Sequence, residues 1–135
     1  MSFQTAPDVL SKQSIKPQSS STTVNGTAVN TAGYDEAVIV LDCGTTTATG
    51  TLNVKVQESV DSAFTTPIDI TGAAFAEVTP TNDDAIYVGT IKLTAARKQY
   101  LRVVGVAATA ASIYGASIHL AQAEKKPAQT PAFTV

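Results

Sequence analysis

The chain has 135 residues, of which 44% are apolar and 15% charged, and a formal net charge of −2 at pH 7. One domain accounts for that length, and the acidic balance excludes a protein built to coat nucleic-acid phosphates, which needs a surplus of Lys and Arg. No apolar run approaches the roughly 20 residues that a helix needs to span a bilayer, and Met1 to Ser21 lacks a basic segment followed by an apolar one, so neither a membrane partner nor a secretory leader is expected.

Ala and Thr are the commonest residues, Val and Ile follow, and the helix formers Glu, Lys, Arg, Leu and Met are sparse. Stiff β-branched side chains favour strands, which predicts an all-β domain. Residues 1–21 are polar, aperiodic and interrupted by Pro7 and Pro17, and are expected to form an extended arm outside the core. Thr27 to Val29 follows the turn pair Asn25-Gly26. The run Ala37-Val38-Ile39-Val40-Leu41 is too short for an independent helix and β-branched, so it reads as a buried strand, with a loop over 45–50. Leu52, Val54 and Val56 alternate with Asn53, Lys55 and Gln57, one face buried and one wet. Ile68 to Ile70 reads as a short strand, Thr71 to Phe75 as a tight turn, and Ala76 to Val78 as another short strand. Strands are then expected over 85–93, 99–106 and 113–121, the last with Tyr114, Ala116, Ile118 and Leu120 on one face. Residues 123–135 contain Pro127 and Pro131 and are expected to form an extended tail.

About seven or eight strands at this spacing predict one antiparallel β-sandwich, jelly-roll or immunoglobulin-like, over residues 22–122, between the arm and the tail. Its expected core includes Val38, Val40, Leu52, Val54, Val56, Leu101, Val103, Ile118 and Leu120.

Candidates for chemistry are few. His119 is the single histidine, and triads and zinc sites need more partners than it has, so it reads as a surface or interface side chain. Cys43 has no second cysteine to pair with, which suits a reducing cytoplasm; at the end of an apolar strand it reads as an inert buried thiol. Asn82-Asp83-Asp84 is the best candidate for a hard cation but lacks Ca²⁺-loop spacing and reads as a solvated turn, as does Asp35-Glu36. Arg97, Lys98 and Arg102 form a small basic patch at a hairpin end. No GxGxxG, P-loop or GxSxG is present. The expectation is no catalytic residue, no metal and no cofactor. With no Trp, only Tyr34, Tyr87, Tyr100 and Tyr114 leave room for sugar stacking.

One pattern spans about residues 20–122: Asn25-Gly26-Thr27-Ala28-Val29, then the stretch from Gly33-Tyr34-Asp35-Glu36 to Asp42-Cys43-Gly44, then Gly50-Thr51-Leu52 to Glu58-Ser59, then Ile70 to Phe75 and Arg97 to Val103. This order resembles the small β-sandwich virion proteins of tailed phages, read as head decoration or cement proteins. The resemblance implies a structural protein, not an enzyme, on the outer surface of a capsid assembled in the host cytoplasm. It implies bridging of major capsid protein subunits, and a homotrimer. Related sandwiches in tails and head–tail connectors give the alternative, a tail or receptor-binding module recognising host glycan. Under the first reading the arms reach partners, and the residues expected to do so are Phe3, Val9, Leu10, Ile15, Phe133 and Val135, whose apolar side chains gain nothing in water.

Overall fold

A computed structural model describes residues 9–121 of the chain. These residues are all-β: β1 (Val9–Ser20), β2 (Thr23–Asn25), β3 (Val29–Asn30), β4 (Glu36–Thr46), β5 (Thr51–Ser59), β6 (Ile68–Ala74), β7 (Ile86–Lys92), β8 (Tyr100–Ala108) and β9 (Ser112–Ala121). Sheet I has the order β1-β9-β4-β7 and sheet II the order β2-β8-β5-β6, with β3 also on β8, and every pairing is antiparallel.

The strand order decides between the two expected sandwiches. An immunoglobulin-like fold keeps its first two strands side by side in one sheet. Here β1 and β2 lie in different sheets, and β5–β6 is the one pair of successive strands bonded to each other. With β2 and β3 taken as one interrupted strand on β8, eight strands divide between two four-stranded layers, and every connection except β5–β6 crosses from one layer to the other, which is a jelly roll.

Apolar side chains from both layers meet in one core. Ile39, Leu41, Ile118 and Leu120 come from sheet I, and Leu52, Val54, Val56, Leu101 and Val103 from sheet II, all at most 2% exposed. Tyr114 of β9 crosses the gap and lies on Gly105 of β8, where a Cβ would come within 2.6 Å of the ring. Phe75, just beyond β6, packs beside Gly89 of β7.

Three expectations are corrected. Residues 9–20 are not an arm outside the core. They form an edge strand of sheet I, with Ile15 only 1% exposed and Leu10 packed against the core, so the sandwich begins at Val9 instead of residue 22. Residues 1–8 and 122–135, and with them Phe3, Phe133 and Val135, lie outside the described residues. Val38 and Val40 are half-buried and face outward, whereas Ala37, Ile39, Leu41 and Cys43 face the core. Thr71 to Ala74 continues β6 instead of turning, and Ala76 to Val78 contributes a single bridge, Leu52 to Val78. The β5 and β9 assignments hold, including the inward face Tyr114, Ala116, Ile118 and Leu120.

Candidate interaction surface

The two outer faces of the sandwich differ in chemistry. On sheet II four outward side chains, from β5, β6 and β8, pair with one another. Lys55 Nζ donates to Asp69 Oδ2 at 2.8 Å, Gln57 Nε2 donates to Asp69 Oδ1 at 2.8 Å, and Arg102 donates to Gln57 Oε1 from Nε at 3.0 Å and Nη2 at 2.8 Å. The Lys55 ammonium first, then the Gln57 amide, holds the Asp69 carboxyl below its ordinary range. The Arg102 guanidinium also lies 4.4 Å from the Phe64 ring centroid. The basic patch read from sequence is thereby occupied: Arg97 pairs with the buried carboxylate of Glu58 at 3.4 Å, and that carboxylate also accepts from the Lys98 backbone N–H at 3.1 Å.

Sheet I presents an apolar stripe. The register sets Val40 opposite Val88 and Asp42 opposite Ile86. Ile86 and Val88 are each 62% exposed, and Val38 and Val40 lie half-buried beside them. The strand pattern explains the stripe. In β4 both faces are apolar, because Val38 and Val40 face outward between the inward residues. Along β7, Ile86, Val88, Thr90 and Lys92 point outward in turn.

Beside the stripe stands His119, opposite Val38 on β4 and Ser11 on β1. Its Nδ1 lies 2.7 Å from Ser11 Oγ and its Nε2 2.8 Å from Ser117 Oγ. A neutral imidazole donates through one nitrogen and accepts through the other, and a hydroxyl satisfies either, so the ring is held upright in both tautomers. A nucleophilic Ser117 would also need donors for an oxyanion. β9 lies between β1 and β4, so its backbone N–H groups are engaged in two ladders. The geometry makes this a polar clasp next to the apolar stripe.

The remaining candidates serve the fold. Cys43 is 4% exposed, and burial first, then Asp42 and Asp83, pushes its thiol up to about 11. Asp83 Oδ2 accepts from the Thr46 N–H at 2.6 Å, Asn82 Oδ1 accepts from the Thr79 N–H at 2.7 Å, and Asp84 stands at the left-handed φ of 51°. These groups hold the 79–84 turn together. The Asp35 backbone bridges Ala121 and Leu93. Among the described residues no three His, Cys, Asp or Glu side chains gather. Tyr114 is in the core, and Tyr34 and Tyr87 pack against it.

Of the arm residues, Ile15 and Leu10 are spent on the core, and Val9 is 37% exposed at the start of β1. The stripe on β4 and β7 was not singled out from sequence. The signal was the unbroken apolar run over 37–41, which a strand buried on one face does not need. No family model matches the chain, and no curated protein sequence matches it.

Proposed function

We propose that the chain is a structural protein of a tailed-phage virion that docks through the outer face of sheet I onto the major capsid protein, decorating and stabilising the capsid. One observation carries the docking face. Ile86 and Val88 stand in water beside Val38 and Val40, whereas on the opposite outer face Lys55, Gln57, Asp69 and Arg102 are engaged with one another and the one exposed large apolar side chain of β8 there, Val106, is 36% exposed. A contiguous apolar patch rimmed by polar groups marks a contact surface. Burying Ile86 and Val88 on a partner would return roughly 1–2 kcal/mol each, since both are already partly covered. The polar rim is Glu36, Asp42, Lys92 and the His119 clasp, which supply direction to the contact. The capsid partner, the virion location and the homotrimer come with the family resemblance. A flat, rigid body suits a cement role, which asks for contact surface instead of a cleft.

The test is binding of purified protein to heads of the phage that encodes it. Ile86→Lys and Val88→Lys point to solvent, so their fold is expected to survive while head occupancy falls at least about tenfold, the effect of losing about 1.4 kcal/mol. Lys55→Ala, on the opposite face, is expected to bind like the parent. Equal occupancy for all three variants would overturn the docking face, and binding along the tail alone would overturn the decoration role.

A further inference from the structure

A sheet edge is a row of backbone N–H and C=O groups without partners, and it invites another strand. Three of the four edges here are blunted. β1 carries Pro17 and two register shifts, β2 and β3 are 3 and 2 residues long, and β6 shifts register between its pairings with Lys55 and Gln57. β7 has none of these defences. Its register on β4 runs unbroken from Ile86 to Lys92, it contains no proline, and its other side meets no strand among the described residues.

The backbone bonds at the two ends of β7 show which of its groups are open. Cys43 and Ala85 exchange both bonds, at 2.9 and 3.1 Å, and the Leu93 N–H donates to Asp35 O at 2.8 Å. In an antiparallel ladder such residues alternate with ones whose N–H and C=O point away from the partner strand. Tyr87, Gly89 and Ile91 therefore turn their backbone groups to β4, and Ile86, Val88, Thr90 and Lys92 turn theirs to the free edge. The same four residues carry the exposed outward side chains, Ile86 and Val88 at 62% each.

This edge is complementary to a second copy of itself. Exposed Asp84 precedes the strand and exposed Lys92 ends it. Glu36 stands opposite Lys92 on β4, yet Lys92 makes no ion pair among the described residues. An antiparallel second copy brings each Lys92 to the other's Asp84, whereas a parallel one sets like charge beside like. With a two-fold axis at Val88, open backbone groups meet open ones: Val88 opposes Val88, Ile86 opposes Thr90, and Lys92 opposes Asp84. Val40 lies opposite Val88 within each copy, so an apolar row of Val40 and Val88 continues across the axis. On the inner face the same register sets Tyr87 opposite Gly89, which has no side chain to collide with it. A cleft of about 190 Å³ opens there between β6 and β7, lined by Ala73, Phe75, Gly89 and Ile91 among others.

We propose that two copies join edge to edge through β7, antiparallel about a two-fold axis at Val88, so that their two sheets I become one continuous sheet. The contact is isologous, so each edge is used once and takes no further strand. It leaves the outer face of sheet I uncovered and is separate from the three-fold contact of a homotrimer. This inference goes beyond the virion reading and does not rest on it.

Amide hydrogen exchange and sedimentation of the full chain over a dilution series test it. The amides of Ile86, Val88 and Thr90 are expected to exchange slowly in the associated protein, and at least about tenfold faster once dilution has separated the copies. Val88→Pro removes an edge N–H that bonds nothing within one copy, so the fold is expected to survive and the association to be lost. Lys92→Glu is expected to weaken association about tenfold, because the axis repeats the charge clash. Fast exchange at these amides at every concentration would overturn the proposal. Slow exchange that dilution does not change would assign the edge to the same molecule and overturn it too. Association of Val88→Pro or Lys92→Glu equal to the parent's would place the contact elsewhere, with the same consequence.

Discussion

Tyr114 offers the sharpest stability experiment. Its side chain is 1% exposed, and its hydroxyl is buried without a hydrogen-bond partner. The ring lies so close to Gly105 that a Cβ there would sit 2.6 Å from Cε2 and 2.7 Å from Cζ. The hydroxyl therefore gave up its water on folding and received nothing in return, a cost of about 1–3 kcal/mol. Tyr114→Phe removes that cost and leaves the ring in place. The small void left by one oxygen takes back a fraction of it, so a net gain of about 1–2 kcal/mol is expected. For a domain of this size that is a rise in Tm of several degrees, at roughly 3–6 °C per kcal/mol. Gly105→Ala is the companion. The ring is caged between layers and the new Cβ is fixed to a central strand, so a loss of about 1–3 kcal/mol or more is expected. Denaturant titration of parent and both variants gives the values. A loss of 1 kcal/mol or more in Tyr114→Phe, on the scale of one hydrogen bond, would refute the reasoning, because it would mean that the hydroxyl is satisfied, for example by a buried water.

Other expectations follow from packing and titration. Ile39→Ala and Leu41→Ala should each cost about 2–5 kcal/mol, whereas Val38→Ala and Val40→Ala should cost less than about 1.5 kcal/mol; equal costs in thermal unfolding would mean that the facing of β4 is wrong. Ser14→Ala removes the hydroxyl that links Thr27 and Val103 and leaves the Val103 N–H unpaired, so a loss of about 1–3 kcal/mol in a denaturant titration is expected. The thiol of Cys43 moves from 9.0 to about 11 on folding, so between those values the unfolded chain holds fewer protons than the native one, and stability falls as pH rises. The loss by pH 11 is roughly 2–3 kcal/mol, and Cys43→Ala should flatten that part of the pH–stability curve.

Regular alternation made β5 and β9 legible from sequence, because each buries one face and wets or thins the other. β1 was hidden by its irregularity. Its two register shifts put Ser14 and Ile15 inward side by side, so no period of two survives, and Pro17 imitates a loop. In β4 the strand was evident but its facing was not, because an apolar run carries no phase. The phase came from pairing, with Ile39 opposite Ile118 and Leu41 opposite Ala116. The same ambiguity concealed the candidate surface, since Val38 and Val40 passed for core. The 71–75 stretch looked like a turn because Gly72 does adopt a positive φ, but it does so inside a bulged edge strand. His119 was read as a surface or interface residue, and it stands beside the stripe; its two serine partners lie on different strands and leave no spacing signal.

The central claim is that this sandwich sits on a phage head with the β4–β7 face against the shell. Cryo-electron microscopy of particles carrying the protein tests it most directly. The expected map has copies repeated over the head lattice, with Val88 and Ile86 buried against capsid subunits and the Lys55–Asp69–Arg102 face toward solvent. Copies confined to one vertex or to the tail, or copies on the head with the β4–β7 face outward, would contradict it.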